Sequence, residues 1–327
     1  MKYKKVDKID YEFSVLGFGC WGASGSGSWS DHGDQEQVRA IETAIDQGIN
    51  FFDVAPVYGL GHAEEVLAQG IKGKRDKVFI ATKVGLPWNN KFEAYNDVSA
   101  INIAREIDDS LRRLDVDYVD LYQVHWPSDK GVPLEETIEA MKRVQESGKA
   151  RYLGLSNYSA ADYRKACEIT EIASMQGLFN MMEQNADAYH NIPLQYRVSD
   201  EIFPLVREEG LAFFPYSPLF QGLLTGKITR ETVFGSNDVR INNPKLQGAE
   251  RLKHLDVLDQ IRNLEPLKGK SLPEIAVNYL VAKKEVTSVI ATQATSDEVL
   301  ANVNALEWQM DDETVSSIDA LVQEKLG

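Results

Sequence analysis

Three short apolar runs each end in a residue able to move a proton. Ile49 to Val54 carries Asp53 near its end, Val78 to Ala81 leads into Thr82 and Lys83, and Tyr118 to Val124 stops at His125. A carboxylate inside an apolar run is costly unless it is paired. The lysine that ends the second run is a partner of the right charge. Just past the first run, Pro56 and Gly59 bracket Tyr58. Taken singly, each has an ordinary role: Asp53 as a cap, Tyr58 as a wall residue, Lys83 as a solvated amine, His125 as a satisfied core histidine. At equivalent ends of successive strands they form a pattern that core packing does not require, and it reads as an active site built on strand ends.

Such strand ends need a scaffold, and the chain supplies one of the right size. Its 327 residues are 43% hydrophobic, enough for a substantial core. Against 35 Lys and Arg stand 50 Asp and Glu, a formal charge of −15, which argues against nucleic-acid or anionic-membrane partners because both need basic surface. The start, Met1 to Asp7, has no apolar segment of signal type, and no apolar run is long enough to span a bilayer. Two cysteines, Cys20 and Cys167, without CxxC spacing, suggest a reducing cytoplasm and no structural zinc.

Helical periodicity and strand runs alternate along the chain. After a short polar hairpin, Lys2 to Val15, that caps one end, Ser14 to Gly22 reads as the first strand and Ala23 to Trp29 as a flexible pocket wall. Helices at 36–47, 63–72, 101–114, 134–146, 159–168 and 198–209 separate strands at 49–54, 78–83, 118–125, 150–156, 172–178 and 211–216. A long irregular segment, Pro218 to Gln247, precedes helices near 249–264 and 272–283, a strand at 286–291, and helices at 296–303 and 312–326. Short strand–helix–strand connections mean parallel strands with right-handed crossovers. The expectation is an α/β chain, 1–327 as one (β/α)8 TIM barrel domain, with an N-terminal β-hairpin cap, a long loop after the seventh strand and an extra C-terminal helix. Catalysis in that fold sits at the C-terminal strand ends, where Asp53, Lys83 and His125 stand.

Six segments in order then resemble the aldo-keto reductases: Asp53-Val-Ala-Pro-Val-Tyr58-Gly59, Thr82-Lys83, Val124-His125-Trp126-Pro127, Gly154-Leu-Ser-Asn-Tyr-Ser159, Gln176-Gly-Leu-Phe-Asn180, and Pro215-Tyr-Ser-Pro-Leu-Phe-Gln-Gly-Leu-Leu-Thr-Gly-Lys227. They span nearly the whole chain and are most similar to bacterial members of the inositol-utilisation and general-stress type. The resemblance implies a nicotinamide-dependent oxidoreductase with a tetrad of Asp53, Tyr58, Lys83 and His125, Tyr58 being the general acid in carbonyl reduction. Hydride delivery to a carbonyl creates an alkoxide, so the site needs a proton donor and charge stabilisation there. A tyrosine near pKa 10 needs help, and a lysine ammonium close by favours the phenolate and can outweigh burial. The resemblance further implies Ser156, Asn157 and Gln176 on the carboxamide, Tyr216 stacked on the ring, and Ser217, Leu219, Gly222 and Lys227 along the pyrophosphate.

The chain departs from the family at its last strand. The usual proline-glycine and following basic residue are replaced by Ala291-Thr-Gln-Ala-Thr-Ser296, leaving Thr292, Glu298 and Asn302 as the cofactor-binding positions of that end, and no Lys or Arg occurs from Glu285 to Glu324. A 2′-phosphate is normally read by such cations, so of NAD(H) and NADP(H) the expectation leans to NAD(H), with Lys227, Arg230 or Arg240 as alternative phosphate contacts. NAD(H) would favour sugar or polyol oxidation. Trp21, Trp88, Trp126 and the loop around Tyr95 are expected to wall a pocket for a neutral sugar or aldehyde, with His62 either facing substrate or exposed. Two rival functions remain: a slow nicotinamide-binding redox sensor or channel-type regulatory subunit on the same fold, and an isomerase or lyase using Lys83 as a Schiff base.

Overall fold

The computed structural model describes residues 1–25, 32–236 and 238–327. Two strands, β1 (Tyr3–Val6) and β2 (Ile9–Ser14), form the antiparallel hairpin. Its turn is polar, but Ile9 and Phe13 are buried. Phe13 meets Phe51, Phe79 and Phe214 at ring separations of 5.5, 4.8 and 5.4 Å, an aromatic plug closing the end of the barrel away from the tetrad.

Eight parallel strands follow: β3 (Leu16–Gly19), β4 (Phe51–Asp53), β5 (Phe79–Val84), β6 (Val119–Val124), β7 (Ala150–Ser156), β8 (Ser174–Leu178), β11 (Ala212–Tyr216) and β12 (Val289–Thr292). They hydrogen-bond in the order β11-β8-β7-β6-β5-β4-β3-β12. Thr287, just before β12, donates its N–H to Phe213 O at 2.9 Å, bringing the two edges together into a nearly closed barrel. Every residue of β5 and β6 is buried, as expected for strands covered on both faces.

The outer ring is α1 (Asp34–Asp46), α2 (His62–Gly70), α3 (Ala100–Leu114), α4 (Leu134–Glu146), α5 (Ala160–Cys167) and α6 (Phe203–Glu209), one after each of the first six barrel strands. Local chemistry sets their ends. Ser99 Oγ accepts from Asn102 N–H to start α3, and Asp115 in the left-handed region ends it. The helix expected over 198–209 begins only at Phe203, after one wide π-type turn, Val198–Ile202. Between β11 and β12 the chain forms two helices, α7 (Gly248–Arg262) and α8 (Leu272–Ala282). Helix α8 packs against β12, whereas α7 packs against α10 (Asp312–Leu326), and α9 (Ser296–Asn304) lies against α1. A small hairpin, β9 (Ala188–Tyr189) and β10 (Ile192–Pro193), was not foreseen from the sequence. No described helix is long and apolar enough to cross a membrane.

Candidate active site

Strand pairing puts the tetrad in place. Asp53 ends β4 and Lys83 lies near the end of β5, both facing inward, with exposures of only 3% and 0%. The Lys83 Nζ donates to Asp53 Oδ2 at 2.5 Å, to Val54 O at 3.1 Å and to the Tyr58 hydroxyl at 3.3 Å. All three ammonium donors are thereby engaged, and the buried carboxylate has its partner. Tyr58 follows a short turn after β4 and is half-buried, its ring 5.0 Å from Trp21 and 6.0 Å from His125. The backbone N–H of His125 donates to Val84 O at 3.0 Å, fixing its departure from β6.

Burial alone would lower the Lys83 pKa, but Asp53 and Tyr58 outweigh it and hold the amine above its usual value. A Schiff-base lysine needs the opposite, so the lyase alternative has no support in this geometry. Tyr58 departs from expectation. Burial raises its pKa to about 12, and the opposing pull of Lys83 does not compensate, partly because Asp53 also disfavours the phenolate. The hydroxyl therefore keeps its proton at neutral pH. His125 is driven well below the usual imidazole range by burial and by Lys83, so it is neutral.

Around this core lies a cavity of about 810 Å³. It is lined by Trp21, Asp53, Tyr58, His125 and Trp126 and by Ser156, Asn157, Gln176, Tyr216, Ser217, Leu219, Gly222, Lys227, Thr292 and Glu298. Asn302 is not part of its wall. Nor is Trp88, which lies over the Arg113 guanidinium at 5.7 Å, or Tyr95, which sits under Lys130 at 4.6 Å. Both were expected at the substrate wall; each stacks instead with a neighbouring cation. His62 is also held elsewhere, its Nε2 2.8 Å from Asp34 Oδ1. Of the loop 23–29, residues 26–29 lie outside the described residues.

Two of the expected cofactor contacts have structural work as well. Gln176 Nε2 donates to Asp53 Oδ1 at 2.8 Å. Asn157, left-handed at φ 66, gives its Nδ2 to His125 O at 3.0 Å and Ser156 Oγ at 3.2 Å, while its Oδ1 accepts from Tyr196 at 2.9 Å and Tyr216 at 2.8 Å. This amide ties β6, β7 and β11 together at the rim. Arg230 is bound to Asp256 and Asp259 on α7, which disfavours it as a phosphate contact. Arg240 lines the cavity but forks onto Asp238. Among the described residues no carboxylate pairs with Lys227. Glu298 accepts from Ala294 N–H at 2.7 Å, and its own N–H donates to Oγ1 of Thr295, the residue that caps α9 at the cavity edge.

Several wall and support residues were not singled out in the sequence: His32, Tyr189, His190 and Gln221 line the cavity. Behind it, Glu64, fully buried, accepts from Thr82 Oγ1 and Arg113 Nε, both at 2.7 Å, bracing the strand that carries Lys83. A glutamate in the first turn of a helix ordinarily reads as a dipole match, so nothing in the sequence marked it.

The aldo/keto reductase family model matches residues 15–323. The aldo-keto reductase YhdN of Bacillus subtilis is 31% identical over 326 residues, covering 99% of this chain and 94% of that protein. The NADH-specific methylglyoxal reductase of Escherichia coli is 30% identical, covering 95% of each. Among solved structures, the glycerol dehydrogenase of Gluconobacter oxydans superposes with a TM-score of 0.87 at 31% identity, covering 99% of this chain and 96% of that one. With the tetrad's segments in order on an eight-stranded parallel barrel, the chain belongs to the aldo/keto reductase family.

Proposed function

We propose that this chain interconverts a small neutral carbonyl compound and its alcohol, with Tyr58 as the proton-transferring group and NAD(H) as the preferred redox partner. The observation that carries this is the Tyr58 hydroxyl 3.3 Å from a lysine locked to Asp53 at 2.5 Å, on the floor of a cavity of about 810 Å³. The cavity suits a nicotinamide dinucleotide: Ser156 and Gln176 offer amide-binding groups, Tyr216 a ring face, and Gly222, at φ 97, a backbone free of a Cβ near Lys227. When bound, the nicotinamide supplies or takes the hydride.

The chain's own residues do the rest. In reduction the carbonyl oxygen sits between the Tyr58 hydroxyl and neutral His125, which orient it by hydrogen bonds. As the carbon gains hydride, Tyr58 releases its proton to the oxygen. The phenolate left behind is stabilised by the Lys83 ammonium and then reprotonated from water. In oxidation the same groups work in reverse. A pKa near 12 suits the acid role better, because the proton is always present at neutral pH.

Preference for NAD(H) is supported by Glu298 at the cavity edge and by the lack of Lys or Arg from 286 to 323. It agrees with the NADH specificity of the methylglyoxal reductase relative, and that relative and the glycerol dehydrogenase suggest an α-oxo aldehyde or a small polyol as substrate. Trp21 and Trp126 would wall that substrate. Fluorescence titration with NADH and NADPH in parallel tests the partner, and tighter NADPH binding would overturn it. Tyr58→Phe tests the chemistry: cofactor binding should persist while kcat falls about 10²–10⁴-fold. Near-normal turnover in that variant would refute the assignment.

A further inference from the structure

The outer wall of the cavity carries a fastening that the reaction itself does not use. In the β9–β10 hairpin Tyr189 pairs with Ile192, leaving His190 and Asn191 as a two-residue turn, with His190 left-handed at φ 54. This hairpin meets the long segment after β11 at three points. Gln221 Nε2 lies 2.5 Å from His190 Nε2, Asn191 Nδ2 donates to Asn242 O at 3.1 Å, and Lys245 Nζ donates to Ala188 O at 3.1 Å. The same segment carries Ser217, Leu219, Gly222 and Lys227 into the cavity wall.

A backbone donor fixes the direction of the first contact. The Lys245 N–H can only donate, and it donates to Asn243 Oδ1 at 3.0 Å. The other end of that amide, Nδ2, therefore donates to Gln221 Oε1 at 3.0 Å. Gln221 is left presenting its NH₂ group to His190, whose Nε2 must accept. The imidazole is thus neutral, with its proton on Nδ1. A second ring proton would set N–H against N–H, and turning the Gln221 amide over would only move the clash to Asn243.

We infer that neutral His190 is a positioning residue that fastens the Ser217–Lys227 wall over the cofactor cavity and lets it loosen on protonation. The role in cofactor retention rests on the nicotinamide reading above; the fastening itself does not. Burial lowers the pKa of His190 from 6.5, Glu183 opposes this and Lys245 adds to it, and those two charges are themselves paired at 2.8 Å. The remaining titratable neighbour, Tyr189, is held protonated by burial. With the folded pKa depressed, the fastening is complete above the ordinary imidazole pKa and is lost as pH falls through the lower, folded value.

Stopped-flow release of NADH and NADPH from the wild type, His190→Asn and His190→Gln, followed in steps from neutral pH to about two units below the ordinary imidazole pKa, tests this. Hydrogen exchange of residues 218–236 without any cofactor gives a second readout. Asparagine accepts the left-handed backbone but is too short to reach, whereas glutamine keeps an acceptor that does not titrate. Wild-type release, and exchange after division by the intrinsic amide rate at each pH, should quicken about fivefold once His190 is protonated, the worth of one hydrogen bond. His190→Asn should be fast at every pH and His190→Gln slow at every pH. Exchange and release that ignore both pH and substitution would overturn the fastening. Failure to bind either nucleotide would instead sink the proposed function, and the exchange data alone would then decide the role of His190.

Discussion

Gln176 donates its side-chain N–H to Asp53 Oδ1 at 2.8 Å, while Lys83 takes the other carboxylate oxygen at 2.5 Å. The carboxylate is held from both sides, and its orientation toward Lys83 depends on a residue from β8, on the far side of the barrel floor. The same glutamine lines the cavity, so the group that steadies Asp53 also faces the space a cofactor would fill.

Removing that donor should therefore act through Asp53. Gln176→Leu is expected to lower kcat/KM about tenfold, the cost of leaving a buried charged acceptor short of one partner. In an Asp53→Asn background the same substitution should cost much less in kcat. A double-mutant cycle in single-turnover reduction checks this, and strict additivity would mean that Gln176 acts on the cofactor alone.

Glu298 places a negative charge at the cavity edge while capping α9 through Ala294 N–H at 2.7 Å. Glu298→Gln retains an oxygen for that cap and removes the charge. NADPH affinity should rise about fivefold and NADH affinity should change far less, with the gain shrinking at high salt. Parallel Kd measurements at two ionic strengths check this.

Glu106 on α3 is buried, accepting from Gly85 N–H at 3.0 Å and Asn102 Nδ2 at 3.1 Å, and burial lifts its pKa from 4.5 to about 7. With the folded pKa above the unfolded one, the folded state holds more protons between those values, so this group makes stability fall as pH rises from 4.5 to about 7. The stability of Glu106→Gln relative to wild type should increase across that window and level off above it. Denaturant unfolding of both proteins as a function of pH is the measurement, and a constant difference would contradict the burial effect.

Gly59, beside Tyr58, has φ 60, and a Cβ there would fall within the van der Waals envelope of the Ser24 carbonyl. Gly59→Ala should cost about 2–3 kcal/mol through backbone strain and a clash with main chain that cannot yield. Thermal unfolding should show a Tm lower by several degrees, with kcat reduced as well if Tyr58, which this turn aims, is the proposed general acid.

The barrel, and the gathering of Asp53, Lys83 and His125 at neighbouring strand ends, could be read from the residues because both are written in local patterns. Helix α4 and strand β7 begin and end where periodicity and the flanking Gly148 place them. Asp53, Lys83 and His125 announce themselves as polar ends of apolar runs. Trp88 shows the limit. An aromatic residue near a strand end looks like a pocket wall, yet a guanidinium from α3, far along the chain, claims its face.

What tertiary structure decided were balances between distant groups. The types of Tyr58 and Lys83 determine that a phenol and an ammonium are available, but the net pKa of the phenol depends on how completely the cavity buries it, and burial wins over the lysine. Asn157, Gln176 and His190 carry ordinary side chains whose partners, such as His125, Asp53 and Gln221, lie 31 or more residues away. Hydrogen-bond direction and desolvation are properties of the assembled neighbourhood. The sequence determined which chemistry the strand ends could carry; packing decided which proton sits where.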